Sequence, residues 1–312
     1  MADVPQRPPA YRLVRPAPRP VEVPVLDEAQ QTVVDHRGGP LLVLAGPGTG
    51  KTTTVVEAVT ARISDGLDPE QVLVLTFGRR AAAELRSRIT ARLRRATKEP
   101  LARTFHSYAF GLLRREAAMR GEPAPRLLSG PEQDLVVRDL LAGDLEGGAT
   151  GWPERLHAAL PTRGFAQELR DLVMRAYERG VTATELERLG RREGRDDWRA
   201  AARFMRQYAG VTALRDAAAY DPAELIRAVV GLWLRQPELL DAERSARQVV
   251  FVDELQDSDP AQVELLQLLA GGGRDLVVVG DPDQSIYGFR GADVDGIRDF
   301  PQRFLTAAGE PA

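Results

Sequence analysis

Lys51 and Thr52 follow directly on a glycine-rich run, Gly46-Pro47-Gly48-Thr49-Gly50. An ammonium and a hydroxyl at the end of such a run suit polyphosphate chemistry. The glycines let the backbone turn tightly and aim its N–H groups at phosphate oxygens. The lysine reaches the β- and γ-phosphates, and the Thr52 hydroxyl ligates Mg²⁺. Leu41-Leu42-Val43-Leu44 reads as a buried parallel strand leading into the loop. A helix leads out, and its N-terminus adds positive potential. This is the P-loop arrangement.

Ala45 stands where the usual pattern begins with Gly, and the turn glycines are kept. The nucleotide is expected against Ala45, Gly46, Gly48, Thr49, Gly50, Lys51, Thr52 and Thr53. The competing reading is an ordinary glycine-rich turn, which explains neither the lysine nor the hydroxyl. Composition agrees. Of 42 Lys plus Arg, only Lys51 and Lys98 are Lys. A chain that writes almost every cation as Arg uses a compact point charge here.

The partners of a P-loop are carboxylates at a strand end. Val249-Val250-Phe251-Val252 is a fully apolar run that ends in Asp253-Glu254. Asp253 would hold Mg²⁺ with Thr52, and Glu254 would orient or deprotonate the attacking water. A further strand, Leu276-Val277-Val278-Val279, leads to Gly280-Asp281-Pro282-Asp283-Gln284. Gln284 can hydrogen-bond a γ-phosphate there, and Tyr287 and Phe289 follow it. Gln30, in a short helix upstream of the P-loop, offers the paired donor and acceptor that the adenine edge requires.

A second chemistry is basic and aromatic. Val72-Leu73-Val74-Leu75-Thr76 reads as a strand, with Phe77-Gly78-Arg79-Arg80 at its C-terminal end, where open α/β sheets bind ligands. Basic side chains beside an aromatic ring are the single-strand binding combination. Arg88, Arg92 and Arg95 share a face of the following helix, either a continuation of that surface or a solvated face. Thr104-Phe105-His106 closes a third strand, and His106 lacks metal-ligand partners at a suitable spacing.

The positioning elements follow from periodicity. The 312 residues allow one large or two ordinary domains. Residues 1–25 are rich in Pro and Arg and read as an extended tail. Residues 26–114 and 248–312 carry the strand signals. Between them, over 115–247, helix signals dominate. Capping boxes stand at Ser129-x-x-Glu132, Thr182-x-x-Glu185 and Asp221-x-x-Glu224. The fold expected is α/β, a parallel P-loop sheet with an inserted, mostly helical domain. Trp152, Trp198 and Trp233 are expected in the core.

Net charge is −3, so a nucleic-acid site must be a local patch. The absence of cysteine excludes disulfides and Cys-ligated zinc or iron–sulfur centres. No apolar run approaches a membrane-spanning length, and a cytoplasmic address is expected.

The motifs AGPGTGKT, TFGRRAAAEL, TFHSYA, VDELQD and VGDPDQSIYGFRGA, in this order, resemble the UvrD/Rep/PcrA-like superfamily 1A DNA helicases. The Pro-rich leader and GGPLLVLAGPGTGKTTT also resemble helicase–nucleases of the AdnAB type. The resemblance implies a RecA-like first lobe of an ATP-dependent, 3′-to-5′ DNA helicase that uses ATP and Mg²⁺. It implies that Gln30 reads adenine and that Gln284 senses the γ-phosphate. It implies that Phe77, Tyr287 and Phe289 line single-stranded DNA, with Arg290 linking that site to the nucleotide. Arg79, Arg80 and His106 join the DNA-binding set.

Two departures stand out. Phe289 replaces a common Trp, and Thr53 replaces an Arg that packs on adenine in many members. The family's second lobe and any nuclease domain are expected outside this chain, supplied in cis or in trans or by a helicase–nuclease partner subunit. The DNA expected is single-stranded or 3′-tailed duplex. Two readings stay open at this point: the N-terminal half of a DNA motor, or an ATP- and DNA-binding module that regulates without turnover.

Overall fold

A computed structural model describes residues 23–93, 101–213, 219–285 and 295–312. Most of the Pro/Arg-rich tail, and Tyr287, Phe289 and Arg290, lie outside the described residues.

The chain enters through α1 (Glu28–Asp35), β1 (Pro40–Leu44) and α2 (Lys51–Ser64). It continues through β2 (Val72–Thr76), α3 (Arg79–Leu93), β3 (Ala102–Thr104) and α4 (Phe105–Arg120). Next come β4 (Arg126–Leu127), α5 (Gly130–Glu146), α6 (Arg163–Glu178), α7 (Ala183–Arg192), α8 (Asp196–Ala213) and β5 (Ala219–Tyr220). It returns through α9 (Pro222–Arg235), α10 (Pro237–Ala246), β6 (Val249–Asp253), α11 (Pro260–Ala270) and β7 (Asp275–Gly280). It closes with α12 (Asp295–Arg298) and α13 (Phe300–Arg303). The fold is α/β, with a parallel five-stranded sheet ordered β1-β7-β6-β2-β3.

Strand alternation divides the sheet's apolar residues between two faces. Val72, Val74, Phe251, Val277 and Val279 pack with Val55 and Val59 of α2 and with Leu85 and Ile89 of α3. Leu73, Leu75, Val250, Val252 and Val278 face the other way, onto α4, α9 and α11. Helices on both faces explain why the inner strands read as continuous Val/Leu runs, whereas β1, expected to be buried, is an edge strand that is only half-buried, with Leu44 exposed. The helices α9 and α10 fall within 115–247, yet Leu225, Val229, Trp233 and Leu240 belong to this sheet cluster.

The helices α5 to α8 bury a separate core around Trp152, Leu169, Phe204, Met205 and Tyr208. Trp152 meets Phe165 edge-on at 5.4 Å and donates from Nε1 to Asp144 at 2.7 Å. The three capping boxes read from the sequence all form. Trp152 and Trp233 are buried, whereas Trp198 is half-buried beneath Arg195. One feature of this region was illegible. The outgoing and returning chains are tied together by β4 and β5, which pair in parallel through two residues each. Two residues carry no periodicity to read. Among the described residues no helix is long and apolar enough to cross a membrane.

Glu224 sits in the joint between these two cores. Burial first, and then Asp221 beside it, pushes its carboxyl up from 4.5 to about 7, against a hydrogen bond from Tyr177. Between these two pH values the folded state holds a proton that the unfolded chain has released. Stability therefore falls as pH rises through this window and levels off above it. Glu224→Gln mimics the protonated acid. It is expected to leave the melting temperature nearly unchanged at pH 5 and to raise stability at pH 8 by about 1–3 kcal/mol. Parallel melting-temperature profiles for the two proteins from pH 5 to 8 would refute this.

Candidate functional site

Strand order decides what meets at the sheet's C-terminal end. β1 and β2 flank the pair β7-β6, and the helices α2 and α3 that follow them pack on one face of the sheet while α11, which follows β6, packs on the other; this creates the switch point where open sheets bind ligands. Register then aligns the strand ends: Leu44 lies opposite Gly280, and Asp253 lies opposite both Thr76 and Val279. The P-loop, the two acids, the Asp281–Gln284 turn and Phe77 all leave the sheet along this one edge.

Gly50 caps α2 in the left-handed region at φ 83°, and Gly48 has φ 74°. A Cβ at Gly50 would lie 2.7 Å from Gln30 Nε2 and would push that amide off the loop, besides straining the left-handed backbone. Gln30 donates from Nε2 to Thr49 O at 2.9 Å, which ties α1 to the loop. Thr49 donates to Gly46 O at 2.8 Å across the turn. Ala45 donates its N–H to Gly280 O at 3.1 Å, so that donor serves the sheet rather than a phosphate.

Lys51 is buried and donates from Nζ to Glu254 Oε2 at 3.2 Å. Glu254 holds φ 60° and ψ 51°, a left-handed conformation that strains a residue bearing a Cβ. Such strain persists only where the surroundings over-determine it, as at functional sites. The Leu255–Asp257 turn and the Lys51 contact supply that constraint. Asp253 is buried. Burial, and next to it the Glu254 carboxylate, pushes its carboxyl up to about 7. Asp253 Oδ1 has no hydrogen-bond partner. A buried acid with an orphaned oxygen and the hydroxyl of the half-buried Thr52, at the start of α2, are donors of the kind that a hard divalent cation takes. Among the described residues no cluster of three or more metal-ligating side chains occurs, so such an ion would need phosphate oxygens or water to complete its shell.

Gln284 donates to an Asp281 carboxylate oxygen, and Asp281 also caps the turn through Asp283 N at 3.0 Å. These bonds hold the Asp281 carboxyl below its ordinary value. Gln256 lies between the two groups. It donates from Nε2 to Glu254 Oε2 at 2.5 Å and accepts from Asp281 N at 3.0 Å.

On the other side of the edge, Phe77 is half-buried and Arg79 and Arg80 are exposed. Arg79 and His106 line a groove of about 480 Å³ together with Arg86, Arg103 and Phe110. Burial, then Arg79 nearby, holds the His106 imidazole below its ordinary value, so it stands neutral at neutral pH. It brings a hydrogen-bonding ring rather than a charge.

The arginine face of α3 does not continue this surface. Arg92 makes a bidentate pair with Glu57 of α2 at 2.8 and 2.6 Å. Arg88 donates to Thr53 Oγ1 at 2.7 Å. The spacing of Arg88 and Arg92 was legible, and their partners on the P-loop helix were not. Arg95 lies outside the described residues. Thr53 thus faces a guanidinium from another helix. The fork of Arg88 and the bridge of Gln256 were not identified from sequence. Arg88 carried only the spacing it shares with Arg92, and Gln256 only its place in the Asp253–Asp257 run.

The sequence model of the UvrD/REP helicase N-terminal domain matches residues 26–305. ATP-dependent DNA helicase PcrA of Staphylococcus aureus is 29% identical over 289 residues, covering 90% of this chain and 36% of the relative. PcrA of Staphylococcus epidermidis is 28% identical over 299 residues, with the same two shares. The chain therefore spans little more than a third of the length of these relatives. The family match extends over nearly all of the chain, and the motifs at the sheet edge lie inside it. The chain belongs to the family of UvrD/REP helicase N-terminal domains.

Proposed function

We propose that this chain is the nucleotide-binding part of an ATP-driven DNA motor that moves 3′ to 5′ on single-stranded DNA. The observation that carries the reading is the meeting of Lys51, Asp253 and Glu254 at one sheet edge, beside the groove of Arg79, Arg103 and His106. ATP would lie along the Gly46–Thr53 loop, with Gln30 at the adenine. Lys51 would bind the β/γ-phosphates, and Thr52 and Asp253 would hold Mg²⁺. When bound, Mg²⁺ supplies charge neutralisation at the phosphoryl oxygens. Glu254 would accept the proton of the attacking water, and Gln284 would read the γ-phosphate.

A regulatory module that only binds has no use for a strained carboxylate held against the P-loop lysine, and this favours the motor reading. The ATPase lobe is taken as 26–114 with 248–312 and the helical domain as 115–247, although α9 and α10 within the latter range pack on the sheet. Movement along DNA also calls for a second lobe that closes over the γ-phosphate, in cis or in trans. The finer elements, namely polarity, 3′-tailed substrates and a helicase–nuclease partner, rest on the family resemblance of the motifs alone.

The test is phosphate release by the chain with and without an oligothymidylate. Release by the chain alone is expected to be very slow and to need Mg²⁺, and to rise with single-stranded DNA once the second lobe is supplied. A chain that fails to bind ATP–Mg²⁺ in calorimetry would reject the assignment.

A further inference from the structure

We propose that the cavity between α6 and the sheet edge is a base-reading pocket, which takes one guanine of the bound single strand and recognises the N1–H and N2 amino donors of its Watson–Crick edge. The inference rests on the reading under Proposed function and adds a sequence preference to its DNA edge.

The cavity holds about 290 Å³, at the small end for ligand pockets, and suits one ring system rather than a run of backbone. Phe77, at the end of β2, and Met174, on α6, supply apolar walls. Asp257, in the turn after β6, and Gln262, in the first turn of α11, supply polar ones. The exposed Arg79 and Arg80 follow Phe77 directly, so a strand whose phosphates lie on those guanidinium groups passes beside the cavity.

Two acceptors on these walls lack partners. Asp257 is 9% exposed and Gln262 1%, yet Asp257 Oδ1 and Gln262 Oε1 accept no hydrogen bond. Buried polar atoms are seldom left so, because their desolvation is then uncompensated. The orientation of Gln262 is fixed. Its backbone N–H and its Nε2 both donate to Asp259, at 2.9 and 2.8 Å. A flipped amide would set Oε1 against that carboxylate, so Oε1 stays an acceptor turned away from it. Burial first, and then Glu254, raises the Asp257 carboxyl to about 6, which leaves it ionised and accepting at pH 8.

Unpaired acceptors call for donors. Among the four bases only guanine presents two adjacent donors on one edge. Thymine sets carbonyls on both sides of its single N–H, and adenine and cytosine each set a ring-nitrogen acceptor beside the amino group. Guanine O6 accepts, and the Arg175 guanidinium in the same cavity is a donor for it. Asp171 and Glu178 also line the cavity, so phosphate is repelled and an uncharged ring is admitted. Phe77 and Met174 offer the ring an aromatic and a thioether surface to pack on.

The experiment titrates the 312-residue chain at pH 8 with a short oligothymidylate and with the same oligomer carrying one central guanine, inosine or adenine. Guanine is expected to raise the affinity about 5- to 150-fold over thymine, the range for a well-made pair of base contacts. Inosine lacks the N2 amino group and is expected to lose most of that gain. Adenine is expected to show none. Asp257→Asn and Gln262→Met each remove an acceptor and are expected to lose most of the preference, with the plain oligothymidylate bound as before.

Met174→Trp fills the cavity from α6 without altering either acceptor. It is expected to abolish the preference, and it keeps the test decisive if a variant of the buried pair fails to fold. Equal affinity for the guanine and thymine oligomers would overturn the proposal. So would inosine that binds as well as guanine, or a preference that survives in Met174→Trp. A chain that binds none of the oligomers would instead overturn the DNA reading on which the proposal stands.

Discussion

Glu254→Gln is expected to reduce ATP turnover by roughly 10²–10⁴, the contribution of a positioned general base, while nucleotide binds at least as tightly as to the wild type. The two effects have one cause. Glu254 lies 3.2 Å from the Lys51 ammonium and beside the buried Asp253. As a carboxylate it competes with phosphate for the lysine, and its charge disfavours ionisation of Asp253. Glutamine keeps the shape and removes the charge. Lys51 is then free for phosphate, and Asp253 ionises more readily. The proton acceptor for the attacking water is lost. Single-turnover phosphate release measures the first effect and calorimetry the second. Turnover within tenfold of the wild type would mean that another group is the base.

Lys51→Ala is expected to weaken nucleotide binding by about 2–5 kcal/mol, or roughly 30- to several-thousand-fold. The side chain is 8% exposed and is paired with a carboxylate. Truncation removes the only lysine among the described residues and leaves Asp253 and Glu254 facing the incoming phosphates. Part of the loss is therefore attraction withdrawn, and part is repulsion no longer opposed. Lys51→Arg should recover little, because a planar guanidinium fork does not fit a cradle shaped for a point charge. Equal affinity of wild type and Lys51→Ala for ATP–Mg²⁺ would remove the P-loop assignment altogether.

Much of this molecule is legible in single stretches. The run from Leu41 to Thr52 announces a strand, a tight loop and a helix, because each signal lies within a few residues of the next. The capping boxes at Ser129, Thr182 and Asp221 are equally local, and all three form. The apolar runs at Val72, Val249 and Leu276 mark strands buried on both faces. The helical spacing of Leu225, Val229 and Trp233 likewise marks a buried face. Their pattern does not say which body the face buries against. It is the sheet, not the helical core that precedes it in the chain.

What the sequence by itself determined is the set of elements and the chemical character of their ends: a phosphate loop, an acid pair, and a basic-aromatic edge. Propensity, capping and periodicity act over one to four residues, so they can be read wherever they occur. What only the tertiary structure decided is who meets whom. The order β1-β7-β6-β2-β3 sets Lys51 against Glu254, and the register sets Asp253 between Thr76 and Val279. Helix packing turns Arg88 and Arg92 toward Thr53 and Glu57 of the P-loop helix, although their spacing also suited a solvated or nucleic-acid-facing surface. The bridge of Gln256 to Asp281 spans two strands that are far apart in sequence. These pairings follow from how whole apolar faces are buried together, a property of the assembled sheet and helices that no short window of sequence contains.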